Sequence, residues 1–416
     1  MNKGLFRENI ITSIMDTDAY KIHMMQAVFE LFPNKLVEYD FKCRSKENLY
    51  DLFVPIRDEI YKLESLQLTF DQVAYFQKIP FIKESFLDSL RNFRFDPKRH
   101  VFMDKDEDGQ LEIKVKGTWY QVILYEIFIL AIVSEVRNRM RWSDIKDEDF
   151  RKVLHKKIKY LKTEVKRRGL EGYFKFADFG TRRRFSYKTQ FDVVDTLVRN
   201  VPEMFFGTSN YHIAKELNLT PIGTMAHEYL CAHQAIVHPR HSITEALHNW
   251  NKVFGGNLGI ALTDAITTDT FIKDFDLGLA KLFDGVRHDS GCPFEWGDKF
   301  IAHYKKLGID PMTKTLVFSD GLNFEKALDI AEYFKDRINF SFGIGTFLSN
   351  DMGDFTNSEG EVYKPLNIVM KLMVFDGVNV AKISDEPAKA MSRSKHYINY
   401  LLELFEIENY KLASSK

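Results

Sequence analysis

The chain has 416 residues, 45% of them hydrophobic, with 58 Lys and Arg against 59 Asp and Glu and a pI near 6.9. That length suffices for one barrel with an attached domain, or for two or three smaller domains. The balanced charge excludes the basic footprint of a nucleic-acid-binding domain but not phosphorylated small molecules, which need only a few local cations and backbone N–H groups.

Residues 1–21 are polar and broken by charge, without the apolar stretch of a signal peptide. Residues 13–31 read as a helix with Asp16 and Asp18 near its start. Residues 37–43 (VEYDFKC) and 111–115 (LEIKV) read as strands, the second after a turn at Asp106, Asp108 and Gly109. The strongest apolar run, 125–133 (YEIFILAIV), is too short to span a bilayer and reads as a buried core helix. Residues 142–168 carry many charges at helical spacing and predict an exposed helix between two regions. Cys43, Cys231 and Cys292 are far apart and form no CxxC pair, which fits free thiols in a reducing compartment. A cytoplasmic protein, with neither membrane nor nucleic-acid partner, is the expectation.

From about residue 174 the rhythm changes. Short apolar segments at 173–176, 259–262, 282–286, 315–318, 339–343 and 368–374 are each followed by polar or glycine turns. Those turns hold residues 178–184, Thr263 and Asp264, residues 287–290, residues 319–321, Gly345 and Thr346, and Asp376 and Gly377. Strand, polar turn and helix in repetition predict a parallel α/β fold. The spread over at least five strands favours a barrel, which gathers such turns at one mouth, over an open doubly wound sheet.

Several turns carry chemistry. In 222–237 (IGTMAHEYLCAHQAIV) Thr224 reads as the cap of a helix starting at Met225, putting His227 in its first turn. The helix dipole there depresses imidazole basicity and favours phosphate on the ring, although a satisfied buried histidine explains the segment equally well. His227, Cys231, His233, His238 and His241 do not match a zinc spacing. In GVRHDSGCP, Arg287 suits a carboxylate or phosphate and Asp289 suits Mg2+ or ribose hydroxyls; a surface ion pair is the plainer alternative. Gly345 and Thr346 suit an anion, or are merely a turn, and Asp320 suits a sugar hydroxyl or a helix cap. Of three consecutive arginines Arg182 is expected to enter the site, the other two facing solvent or another subunit, and Phe179 offers a flat face to a ring or simply packs in the core.

Taken together, MDTDAYKIHM (15–24), DFGTRRR (178–184), GTSN (207–210), GTMAHE (223–228), LTDAITTDTF (262–271), GVRHDSG (285–291), FSDGLN (318–323) and FGIGTFLSND (342–351) resemble the nicotinate phosphoribosyltransferase family of bacterial and fungal type. Each motif is modestly specific; the ordered set, from near residue 13 to near residue 390, is highly so. The resemblance implies the type II phosphoribosyltransferase fold, an irregular α/β barrel with a mixed α+β N-terminal domain. The expected division is 1–140 for that domain, 141–385 for the barrel and 386–416 for a helical tail.

The resemblance also implies roles. Tyr20, from a neighbouring subunit of a homodimer, and Phe179 sandwich the pyridine ring. Arg182 and Arg287 face anionic groups, and Thr224 helps hold nicotinate. Asp289 and Ser290 hold ribose hydroxyls or Mg2+, and Gly345 and Thr346 hold the 5′-phosphate. His227 is phosphorylated by ATP, and hydrolysis of the phosphohistidine resets the enzyme. The ligands are thus nicotinate, phosphoribosyl pyrophosphate, ATP and Mg2+. A nicotinamide phosphoribosyltransferase, a quinolinate phosphoribosyltransferase without ATP coupling, a non-catalytic protein on the same scaffold and a zinc-dependent barrel hydrolase are the rival readings.

Overall fold

The computed structural model describes residues 8–412, and sequence readings that extend beyond those limits lie outside it. Its strands are β1 (Leu36–Cys43), β2 (Val101–Lys105), β3 (Leu111–Thr118), β4 (Phe176–Asp178), β5 (Phe205–Thr208), β6 (Thr220–Pro221), β7 (Ile260–Leu262), β8 (Gly285–His288), β9 (Thr315–Phe318), β10 (Asn339–Ile344), β11 (Ile368–Phe375) and β12 (Val378–Asn379). They form two sheets, ordered β12-β11-β1-β3-β2 and β6-β5-β4-β10-β9-β8-β7.

The first sheet is antiparallel throughout. Along β1, Val37, Tyr39 and Phe41 are buried between more exposed neighbours, the two-residue period of a strand with one face in the core. Its partner β11 contradicts the sequence reading, which counted residues 368–374 among the parallel strands. It pairs antiparallel with β1, Val37 opposite Phe375, with a bulge between Glu38 and Tyr39. β11 is buried along most of its length, so it reads as a continuous apolar run, the same signature as a parallel strand. Asp376 is correspondingly not a pocket residue: it accepts from Leu36 N at 2.8 Å and Lys35 Nζ at 2.6 Å and fastens the sheet corner.

The second sheet is parallel throughout. Read cyclically, its order follows the chain from β4 to β10, and β10 pairs back onto β4; the ladder is open between β6 and β7. This is an α/β barrel with one seam unpaired. Sequence reading missed β5 and β6, because FFGT and TP are too short and too rich in turn residues to signal strands.

Three helices correspond to segments singled out in the sequence. α1 (Ala19–Leu31) starts after Asp18, later than the reading from residue 13. α2 (Tyr125–Arg141) is buried over nearly all of its length. With the turn before it, it forms the stretch Trp119–Arg141, long and apolar enough to cross a membrane by length and composition. The sequence reading of a short run therefore understated the helix, but 89% of its most apolar window is buried in protein, as a core helix requires. α3 (Asp147–Arg167) buries Phe150, Leu154, Ile158, Leu161 and Val165, a stripe at helical spacing, and turns its charges outward.

Candidate active site

A cavity of about 580 Å3 opens where the barrel turns meet β11 and the start of α1. Its wall includes Tyr20, Phe179, Arg182, His227, Arg287, Asp289, Asp320, Gly345 and Thr346, so nine of the residues singled out in the sequence come together. Tyr20 lines the cavity within its own chain.

Asp178 organises the turn after β4. It accepts from Gln190 Nε2 at 2.7 Å, Thr208 Oγ1 at 2.8 Å and Gly180 N at 2.9 Å, while burial pushes its carboxyl up to about 6. The arginines that follow divide differently from expectation. Arg182 reaches the cavity and has no hydrogen-bond or ion-pair partner among the described residues. Arg183 also lines it, with Nε donating to Ile368 O at 2.9 Å, and burial lowers its pKa to about 9. Arg184 is fully buried and grips Asp16 with two bonds, of 2.5 and 2.7 Å, so neither residue turns to solvent. That pair ties the start of the chain to the Arg182 turn.

Phe179 explains the glycines of GIGT better than an anion does. A Cβ on Gly343 would lie 2.3 Å from the Phe179 ring, and one on Gly345 would lie 2.8 Å from its carbonyl oxygen. Both glycines are therefore required by close packing, and Gly345 and Thr346 still face the cavity.

α4 (His227–Ile236) lies in the chain between β6 and β7, and His227 is its first residue. Its cap is Ala226, not Thr224: the Thr224 hydroxyl donates to Ile260 O at 2.7 Å and does not line the cavity. His227 Nε2 lies 2.7 Å from Asp264 Oδ1. Burial pushes the Asp264 carboxyl up, but His227 and Lys382 outweigh it and hold Asp264 well below the usual carboxylate range. Lys382 Nζ is 3.0 Å from Asp264 Oδ2, and Ser290 Oγ donates to the same oxygen at 2.6 Å. Ser290 is therefore committed to Asp264 and does not line the cavity, contrary to its expected contact with substrate.

An ionised carboxylate only accepts hydrogen bonds, so Nε2 of His227 carries the proton and Nδ1 keeps its lone pair. Burial lowers the imidazole pKa to about 4, against the pull of Asp264, so the ring is neutral at pH 7. Burial is the largest cause of that shift.

Asp289 accepts from Ser319 Oγ at 3.0 Å and presents Oδ2 at 3.8 Å from His227 Nε2 and 4.0 Å from Lys382 Nζ. His227, Asp264 and Asp289 are close enough to share a cation. The Lys382 ammonium already balances Asp264, however, and opposes a metal ion held by all three. A Mg2+ that uses one protein carboxylate plus substrate phosphates fits Asp289 alone. The zinc reading gains nothing from the histidine-rich stretch: burial pushes the Cys231 thiol up to about 12, and His233 is bonded to Tyr229 O at 2.7 Å.

Asp320 lines the cavity and pairs with Lys389 at 2.8 Å. Sequence reasoning missed Lys371, Lys382 and the role of Asp264. Asp264 was legible, since it follows β7 in LTDAITTDTF. The two lysines lie on or beyond β11, away from the strand-end turns, and carry no signal in the sequence.

Comparisons with known proteins give the family and the fold. Residues 174–409 match the profile described as the nicotinate phosphoribosyltransferase (NAPRTase) family, and residues 15–134 match its N-terminal domain. A nicotinate phosphoribosyltransferase of Vibrio parahaemolyticus is 52% identical over 98% of this chain and 94% of its own length. One from Ectopseudomonas mendocina is 48% identical over 98% of this chain and 100% of its own. The crystal structure of nicotinate phosphoribosyltransferase from Vibrio cholerae superposes with a TM-score of 0.94 at 48% identity, covering 98% of this chain and 96% of that one. The structure from Porphyromonas gingivalis gives 0.88 at 35% identity, covering 96% and 100%.

Proposed function

This chain belongs to the nicotinate phosphoribosyltransferase family, and from that premise we propose how its cavity works. The enzyme transfers the phosphoribosyl group of phosphoribosyl pyrophosphate to nicotinate, releasing pyrophosphate, in NAD salvage. Tyr20 and Phe179 hold the pyridine ring and aim its nitrogen at C1. The C1–O bond to pyrophosphate breaks as the C1–N bond forms. Charge develops on sugar and leaving group, so positioning and electrostatics carry the catalysis. Arg182 and Arg287 meet the anionic groups, Gly345 and Thr346 take the 5′-phosphate, and Asp289 and Asp320 take ribose hydroxyls. Asp289 is also the protein ligand for Mg2+, which when bound neutralises pyrophosphate charge. Ser290 acts one step back, through Asp264.

ATP enters through His227. Its Nδ1 attacks the γ-phosphorus, the bond to the bridging oxygen breaks, and ADP leaves. Asp264 balances the positive charge that develops on the ring. Water later hydrolyses the N–P bond, giving phosphate and the neutral histidine. The observation that supports this is the Asp264 hydrogen bond to Nε2, which leaves Nδ1 as the nucleophile. We place the enzyme in the cytoplasm as a homodimer; light scattering tests the assembly.

The test is product formation from nicotinate and phosphoribosyl pyrophosphate with Mg2+, with and without ATP, beside a run with nicotinamide. Nicotinate mononucleotide formed faster with ATP, and little nicotinamide product, is expected. His227→Ala should abolish ATP coupling and leave weak uncoupled transfer; full coupling in that variant refutes the phosphohistidine.

A further inference from the structure

Among the cations around the cavity, one lies within a strand of the antiparallel sheet and has no side-chain partner among the described residues. Arg182, Arg183 and Arg287 come from barrel turns and strands, Lys382 is committed to Asp264, Lys389 pairs with Asp320 and Glu386, and Arg44, just past the end of β1, donates to the Met391 sulfur at 3.2 Å. Lys371 comes from β11 of the antiparallel sheet and lines the cavity. Its ammonium makes no hydrogen bond or ion pair with any described residue. An enclosed ammonium without a partner is costly, which makes it a site for an anion that arrives with the substrate.

Its neighbours locate it. Glu126, at the start of α2, is the opposite charge that acts most on Lys371, and it is also the charge that acts most on the Tyr20 hydroxyl. Lys371, Glu126 and Tyr20 all line the cavity, and Lys21, the residue after Tyr20, pairs with Glu126. Glu126 does not need Lys371 as its counterion. Lys21 already holds it at 2.7 Å and pairs with Glu228 as well, while Trp119 Nε1 donates to Glu228 at 2.6 Å. The remaining charges that face Lys371 are Arg182, Lys382 and Asp289. Its cross-strand neighbour Asp40 is held by two bonds from Arg393, of 2.7 and 2.5 Å.

We propose that Lys371 is a specificity-determining residue whose ammonium meets the carboxylate of nicotinate, so that the cavity holding the pyridine ring also reads its charge. This rests on the cavity being the nicotinate site. A single ammonium matches one carboxylate, whereas the phosphates of the other substrate carry several charges and face the arginines of the barrel turns. Burial lowers the Lys371 pKa to about 8, a value at which its charge is lost in mildly alkaline solution.

The experiment compares wild type, Lys371→Met and Lys371→Arg by steady-state kinetics at pH 7.5, with melting temperatures to confirm folding. Lys371→Met should raise KM for nicotinate by roughly 30-fold or more, leave KM for phosphoribosyl pyrophosphate within about threefold, and narrow the preference over nicotinamide. Lys371→Arg should restore much of the loss. Wild type provides a reading that needs no variant: its KM for nicotinate, and not for phosphoribosyl pyrophosphate, should climb above about pH 8, and Lys371→Arg should remove that climb. A rise confined to KM for phosphoribosyl pyrophosphate overturns the proposal in favour of a phosphate contact. Unchanged KM values in a folded Lys371→Met also overturn it, leaving a structural charge. Absence of nicotinate transfer by wild type itself is a different failure, that of the functional reading.

Discussion

Asp264→Asn is the sharpest probe of the histidine. The change keeps the shape of the side chain and removes its charge. Asp264 lies 2.7 Å from His227 Nε2 and 3.0 Å from Lys382 Nζ, and all three are largely enclosed. Phosphorylation at Nδ1 makes the ring cationic, and the carboxylate then faces a charge centre about 4 Å away; at an effective dielectric near 20 that attraction is about 4 kcal/mol. An asparagine recovers only a neutral hydrogen bond, about 1 kcal/mol. The net loss of roughly 3 kcal/mol corresponds to about a hundredfold slower phosphoryl transfer to the histidine. Lys382, deprived of its partner, adds to the cost. Rapid-quench measurement of acid-labile phosphate on the enzyme, with labelled ATP, reads the step directly. The ratio of ATP consumed to nicotinate mononucleotide formed reads the coupling, while transfer without ATP should stay within about tenfold. A folded Asp264→Asn enzyme that is phosphorylated at close to the wild-type rate would falsify the role given to this carboxylate.

Two further outcomes follow from the packing. Gly343→Ala puts a methyl group 2.3 Å from the Phe179 ring, so the ring must move; KM for nicotinate should rise about tenfold or more, and thermal denaturation should show a loss of about 1–3 kcal/mol. An unchanged KM would mean that the Phe179 face does not touch the base. His23, His227 and His233 are buried and neutral, with burial lowering their pKa values to about 3, 4 and 4. The unfolded chain binds protons at these sites from about pH 6.5 downward and the folded protein does not, so stability falls as the pH drops through that window. At pH 5.5 the loss is about 1.4 kcal/mol per histidine, and melting curves at pH 7.5 and 5.5 measure it.

What the sequence revealed follows from where its signals are strong. The parallel strands other than β5 and β6 were legible because each apolar segment ends in a polar turn that cannot be buried without a purpose. The same logic brought Arg287, Asp289, Gly345 and Thr346 to one mouth. It failed for β11, which is covered over most of its length and carries no alternation, so its sheet could not be told from its residues. With β11 went Lys371, a functional cation in an apolar run. The errors at Thr224 and Ser290 are of another kind. Both were expected to touch ligand because hydroxyls near motifs often do, but one satisfies a carbonyl and the other a carboxylate that itself holds the histidine. Arg184, read as an outward residue, is buried because Asp16, far away in sequence, supplies its charge.

The late arrival of β11 has a consequence for biosynthesis. β1 pairs with β3 on one edge, but its other edge waits for residues 368–375. On the ribosome, the N-terminal sheet therefore emerges with an open strand, and it can be completed only when almost the whole chain has been made. Pairing over such a sequence distance is slow, and an unpaired edge in the meantime is a template for intermolecular pairing. Lys42 and Lys46, both exposed, lie near that edge, and charge at a strand edge opposes pairing between copies. For the same reason, a fragment that stops before β11 should aggregate where the complete chain folds, so the N-terminal sheet is not a unit that can be inherited or expressed apart from the barrel.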